Sequence, residues 1–262
     1  MSAVGGVLGA AVALPAIGTI GIVTRNAVNT FEAMSTQALG EVPQRSEILD
    51  RAGHVLAYVY NVDASYYYGP HKVKPVVVDG INRQPVSYDK IAPAMRNAII
   101  AIEDSRYYQH GAIDFRGTMR ALINDLKHKP VQGGSTIAQQ YVKNVLVLTA
   151  KNPAAAEGAT SETLSRKIRE LRLAIAVEHR MSRNQILAGY LNDAYFGNQT
   201  VGVQIAAKFY FGVNADKLNL AQAALLAGLV ENPSAYNPLA SPRTARERRN
   251  TVLARMQQLG MI

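Results

Sequence analysis

Glu103 closes the apolar run Ala94 to Ile102 and opens the stretch EDSRYYQHG, Glu103 to Gly111. A carboxylate that leaves a core for a cleft is partly desolvated. Its pKa rises, which suits it to acid–base work near neutral pH. Read as helix, Glu103, Tyr107 and His110 fall at i, i+4 and i+7 and share one face. Taken alone, a carboxylate at a helix end is more often simply exposed. A second stretch, GGSTIAQQYVKN, runs from Gly133 to Asn144. Its two glycines let backbone approach a ligand closely. Ser135 or Thr136 can cap the helix that follows, whose N-terminus favours an anion. Gln140 and Lys143 lie near one face of that helix. The order GxxxxGK[ST] is absent, so this is not a P-loop. A third stretch, RKIRE, sets Arg166 and Glu170 at i, i+4 with Lys167 beside them. That pattern reads either as a solvated ion-paired face or as a diphosphate clamp, in which Arg forks onto phosphate oxygens and Lys adds a point charge. Two carboxylates and a cationic cradle are what a sugar reacting with loss of an anionic group would need.

These residues must be held by elements, and the elements are mostly helical. Arg45 to Asn61 predicts a β-hairpin turning at Asp50-Arg51-Ala52-Gly53. Residues 63–90 carry several prolines and read as irregular, with a short strand at Val76 to Val78. From Ile91 the character changes to helix, with Pro93 suited to a first turn. Thr118 to Lys127 continues helical. Leu148 to Thr160 reads as a mobile loop. A helix is expected from Ser161, with Ile168, Leu171 and Ile175 as its apolar stripe. Further helices are expected at Arg183 to Asn192, Gly202 to Phe211, Leu220 to Val230 (capped by Asn219) and Arg243 to Leu259. Ile186, Leu187, Tyr190 and Leu191 form a core stripe. The run Arg246, Arg248, Arg249 reads as a solvated face. His54, His71, His128 and His179 show no metal-ligand spacing and read as surface residues, and no metal site is expected.

The chain has 262 residues and a formal charge of +9, from 28 Lys+Arg against 19 Asp+Glu. That balance favours an anionic partner. With no Cys, disulfide scaffolds and thiolate metal sites are excluded. The first charged residue is Arg25, and Ala3 to Val23 is long and apolar enough to cross a bilayer. A signal peptide would want a basic leader, which Met1-Ser2 does not supply. The expected organisation is a transmembrane anchor over 1–24, then a spacer, hairpin and irregular lead-in over 25–90, then a mainly α domain over 91–262.

Together the stretches resemble the peptidoglycan glycosyltransferase domain of class A penicillin-binding proteins, glycosyltransferase family 51. EDSRYYQHG, GGSTIAQQYVKN, RKIRELRLAIAVE, RNQILAGYLN and RRNTVL (Arg248 to Leu253) follow the order of the five family motifs. The resemblance spans about residues 43–262. It implies a lysozyme-like α fold at the outer face of a bacterial membrane, reached by a single-pass anchor. It also implies polymerisation of lipid II into glycan strands, with inversion and release of undecaprenyl diphosphate. Glu103 matches the general base and Glu170 the second carboxylate, which assists at the donor diphosphate or its bound metal. Asp104, Arg106, Ser135, Thr136, Gln140, Lys143, Arg166 and Lys167 match positions that bind substrate. The resemblance fixes no cofactor, and a divalent cation such as Mg2+ on the diphosphate is compatible with the family. The implied partners are lipid II, the growing strand, the bilayer, and divisome or elongation proteins. Nucleic acid is not among them.

Some positions depart from the family pattern. Ala138 stands where Thr is usual and Tyr107 where Phe is common, and the hairpin reads RSEILDRAG. A hairpin of this kind points to the bifunctional class, so the chain is expected to be the N-terminal part of such a protein. Ser87-Tyr-Asp-Lys90 fits S-x-x-K but lacks the partner motifs, and reads as chance. Two other readings stay open: a glycan-cleaving lysozyme-like enzyme, which also uses a glutamate, and a membrane-anchored basic scaffold.

Overall fold

Helix starts are written in capping residues, and the computed structural model places nearly every helix where one occurs. It describes residues 41–59, 65–67, 76–78, 82–111, 135–150, 152–161 and 163–262. The expected anchor, most of the spacer, the helix at Thr118 to Lys127, the Gly133-Gly134 pair, His71 and His128 lie outside the described residues. Among the described residues no helix is long and apolar enough to cross a membrane.

Strands β1 (Ser46–Leu49) and β2 (Val55–Val59) form the expected antiparallel hairpin. Asp50 shapes its turn by accepting from the Ala52 and His54 amides, both at 2.8 Å. The lead-in is less irregular than its prolines suggest, because β3 (Ser65–Tyr67) pairs antiparallel with β4 (Val76–Val78). The helices are α1 (Pro93–Glu103), α2 (Ile137–Leu148), α3 (Pro153–Thr160), α4 (Leu164–Arg180), α5 (Arg183–Asp193), α6 (Val203–Phe211), α7 (Leu220–Leu229) and α8 (Pro242–Gln258). The caps of α5 and α7 are reciprocal: Ser182 with Gln185, and Asn219 with Gln222. Gly202 starts α6 at φ +87°, where a Cβ would lie 2.6 Å from the Asn192 carbonyl oxygen. Only glycine fits that corner.

Two sequence readings are corrected here. The stretch after Leu148 is not a loop throughout, since Asn152 accepts from the Ala155 amide at 2.9 Å and Pro153 begins α3. In α4 the inward face is not the expected apolar stripe. Ile168 is 42% exposed, while Leu173, Ala174, Val177 and the carboxylate Glu170 are buried. The helix is rotated so that a charge faces inward.

Helices α1, α7 and α8 pack on one another, and α2 packs on α3, α4 and α5. One core joins α1, the start of α2, α5, α7 and α8, with Met95 and Ile99 of α1, Ile137 of α2, Leu187, Tyr190 and Leu191 of α5, Leu226 of α7 and Met256 of α8 all buried. The lead-in is pinned to α5 by polar contacts. Asn192 exchanges two hydrogen bonds with the Val86 backbone, at 3.0 and 2.8 Å. Arg83 pairs with the fully buried Asp193 at 2.7 Å. Burial pushes the Asp193 carboxyl up to about 6, with Arg83 pulling against it. Removing the cation strands a buried charge, so Arg83→Met should cost about 3 kcal/mol of stability near neutral pH. A group with a raised folded pKa binds its proton more tightly when folded, so the stability of the ionised form falls as pH rises through that window. The Arg83→Met loss should therefore be smaller near about pH 5 than near about pH 8, when thermal unfolding is followed at both.

Candidate active site

Helix α1 ends at Glu103, and the chain then turns sharply. This overturns the helical reading of Glu103, Tyr107 and His110 as one face. Asp104 leaves helical geometry, its amide still bonded to the Ile100 carbonyl at 3.0 Å. Tyr107 is swung into the core, where its hydroxyl donates to the Arg183 carbonyl at 2.7 Å. Asp104 is buried beneath the turn with both oxygens engaged. Oδ2 accepts from the Ile137 amide at 3.2 Å, and Oδ1 lies 2.6 Å from His110 Nε2. His110 Nδ1 lies 2.6 Å from the Gly111 carbonyl. Both ring nitrogens thus face acceptors, which an imidazolium satisfies with two N–H donors. Asp104 therefore braces the turn after Glu103 against the first residue of α2. Arg106 sits half-buried within the turn.

Glu103 itself is half-buried. Its Oε2 accepts from Gln140 Nε2 at 2.9 Å, and Gln140 Oε1 accepts from the Tyr190 hydroxyl at 3.3 Å. The described residues give Oε1 no hydrogen bond. Burial raises the Glu103 pKa above the ordinary carboxylate value. The Gln140 hydrogen bond, Arg248 and Lys143 oppose that rise, and Glu231 adds to it. A carboxylate held by one oxygen, with the other open and a raised proton affinity, is equipped to take a proton.

The second cluster is built on α2 and α4. Thr136 caps α2 by accepting from the Gln139 amide at 3.3 Å, which settles the choice between Ser135 and Thr136. Ser135 is used differently. Its Oγ accepts from Lys167 Nζ at 2.7 Å. Lys167 also reaches Glu170 Oε1 at 2.7 Å, while Arg166 pairs with Glu170 Oε2 and donates to the Ser161 carbonyl. Glu170 is only 2% exposed and is held between these two cations. Lys143, on α2, has no hydrogen bond among the described residues. Burial lowers its pKa below the ordinary lysine value, against the pull of Glu170 and Glu103. Three cations against one carboxylate leave this cluster net positive. It can hold a diphosphate. It does not suit a protein-held metal ion: both Glu170 oxygens are taken, and no group of three candidate ligands exists among the described residues.

The structure thus brings Glu103, Gln140, Lys143, Glu170, Arg166, Lys167 and Ser135 into one connected region, with Asp104 bracing it. Sequence reading missed Tyr190, which looked like plain packing yet orients Gln140. It also missed the bracing role of His110, and that of Arg183, which donates to the Tyr107 and His110 carbonyls. No spacing signalled these, because each acts across elements distant in sequence. His54 and His179 are exposed, as expected.

Comparison with known proteins agrees in kind. The Transglycosylase family model matches residues 72–257. Penicillin-binding protein 1A of Escherichia coli K12 is 42% identical over 181 residues, covering 69% of this chain and 20% of that protein. Penicillin-binding protein 1A of Aquifex aeolicus is 38% identical over 221 residues, covering 84% of this chain and 26% of that protein. A shorter relative from Cupriavidus necator, provisionally named a transglycosylase, is 38% identical over 177 residues, covering 68% of this chain and 72% of its own length. The chain thus spans a fifth to a quarter of the length of the two penicillin-binding proteins.

Proposed function

We infer the activity from one premise: this chain belongs to the transglycosylase family. We propose that it is a peptidoglycan glycosyltransferase that polymerises lipid II into glycan strands. The observation that carries the reading is the pairing of a half-buried carboxylate, open at one oxygen, with a net-positive cluster linked to it through Gln140 and Lys143 on α2. In the proposed step Glu103 takes the proton of the acceptor sugar hydroxyl through Oε1. The hydroxyl oxygen forms the new bond to the anomeric carbon of the growing strand. The bond from that carbon to the lipid diphosphate breaks on the opposite face, so configuration inverts. Charge gathers on the departing diphosphate, where Lys143, Arg166 and Lys167 are already in place to stabilise it. Holding two lipid-linked sugars in line supplies the entropic part of catalysis.

Glu170 serves as a positioning residue that fixes Arg166 and Lys167. Ser135 and Arg106 are assigned to the approach of sugar and diphosphate, while Thr136, buried as the α2 cap, acts by holding the start of that helix. Asp104 acts by bracing the turn. The lysozyme-like assignment of the helical domain, the anchor over 1–24 and a site at the outer membrane face belong to the same proposal. So does the view that the chain is the N-terminal part of a bifunctional penicillin-binding protein. The hairpin and the length of the relatives support this last point. A glycan-cleaving enzyme has no need of the Lys143, Arg166, Lys167 cluster. Incubation with lipid II separates the two: strand growth blocked by moenomycin supports the polymerase, and cleavage of finished peptidoglycan without growth refutes it.

A further inference from the structure

Helix α5 contains a glycine that its own backbone does not call for. Gly189 stands in the interior of Arg183–Asp193 and keeps ordinary helical geometry, with no positive φ. Glycine weakens a helix interior relative to alanine, so a contact has to account for it. That contact is with α2. A Cβ on Gly189 would lie 2.7 Å from Tyr141 Cε2, 3.0 Å from Cζ and 3.3 Å from Cδ2. The Tyr141 ring therefore rests on the α5 backbone, in space that any other residue would fill. Tyr141 is partly buried and also packs on the main core.

The next residue of α5 makes a second contact. Tyr190 donates to Gln140 Oε1 at 3.3 Å, and Gln140 Nε2 donates to Glu103 Oε2 at 2.9 Å. Gly189 and Tyr190 on α5 thus meet Tyr141 and Gln140 on α2, neighbour for neighbour in opposite order. The ring contact sets how closely α2 lies on α5, and the hydrogen bond holds the Gln140 amide at that separation. At 3.3 Å the Tyr190 bond has little length to spare; by about 3.6 Å it would no longer exist. We propose that Gly189 is a positioning residue for the base: by admitting the Tyr141 ring, it keeps α2 at the separation from α5 at which Gln140 reaches both Tyr190 and Glu103. The inference deepens the function proposed above and rests on Glu103 being the base. Two movements could relieve an added Cβ: the ring swings out, or α2 backs away. Swinging out strips apolar ring surface from the core, whereas backing away slightly breaks one hydrogen bond already near its limit. The second is the smaller loss.

The test compares Gly189→Ala, Tyr141→Val and the two combined, by lipid II kinetics and by nitrogen NMR of the Gln140 side-chain amide. A misplacement of about 1 Å costs about 100-fold in rate. A shift of a few tenths of that size in Gly189→Ala should lower kcat about 3- to 10-fold and leave KM nearly unchanged, because no substrate contact is lost. The Gln140 amide resonance should shift with it. Adding Tyr141→Val removes the ring that the new Cβ strikes, so the double variant should recover both rate and resonance relative to Gly189→Ala. Two unrelated structural defects would instead add. If Gly189→Ala does not fold, the double variant carries the test: it should match Tyr141→Val in kcat, and a further loss overturns the proposal. An unmoved rate and resonance in Gly189→Ala overturn it, by showing that the ring swings out. A resonance that shifts and recovers under a constant rate refutes Glu103 as the base, and the proposal falls with that reading.

Discussion

Glu103→Gln is expected to polymerise lipid II about 1000-fold more slowly than the wild type, or not measurably, while still binding it. The change is close to isosteric. Gln140 Nε2 now donates to the new amide oxygen as it did to Oε2 at 2.9 Å, so the local geometry survives. Only the proton acceptor is lost. Stability gives an independent check. The folded Glu103 pKa is raised by burial, so its ionised form at neutral pH opposes folding. The variant should therefore melt at or above the wild-type temperature while losing activity. A misfolded variant would lose both, and a scaffold that merely carries the motif would lose neither. Wild-type turnover by Glu103→Gln refutes the base outright. In the wild type, the raised pKa places the acidic limb of kcat/KM above the ordinary carboxylate range.

How much of this was legible beforehand depends on distance along the chain. Helix starts were legible because caps are local: Asn219, Pro93 and the Ser135-Thr136 pair are read within one turn. The pairing of Arg166 and Lys167 with Glu170 was legible for the same reason, being i, i+4 and i, i+3. Helix α3 was missed although its Asn152-Pro153 start is a standard signal. The turn after Glu103 was missed because nothing local marks where α1 stops, and the residue that bends the chain, Asp104, does so by bonding Ile137 thirty-three residues away. Arg248 was misread because it is a charge standing, 16% exposed, within the helical stripe Ala245, Val252 and Met256 that α8 buries. What sequence cannot show is which charge is turned inward. Glu170, Asp193 and Arg248 look like any surface residues until packing buries them.

Inward-facing charge is also what sets the last expectation. Lys143→Met lowers the rate of polymerisation about 100- to 1000-fold, as loss of one preorganised donor to a developing anion does. Arg166 and Lys167 act on the same diphosphate but are already paired with Glu170, so they compensate only in part. Lys143 alone of the three has no hydrogen bond among the described residues, and it feels both Glu170 and Glu103. Its folded pKa is lowered, chiefly by burial. The folded state therefore binds this proton less tightly than the unfolded chain does, and carrying the cation near neutral pH costs stability. Lys143→Met should then hold or raise the melting temperature while removing activity. Deprotonation of Lys143 should set the alkaline limb of the rate profile, at lower pH than an ordinary lysine would. Arginine stays charged throughout, so Lys143→Arg should keep part of the rate and lose that limb. An alkaline limb that persists in Lys143→Arg would show that another group sets it. The raised carboxylate and the lowered lysine draw the two limbs toward each other. Each is perturbed mainly by burial, so under the proposed reading the burial that would exclude water from the diphosphate should also narrow the working pH range.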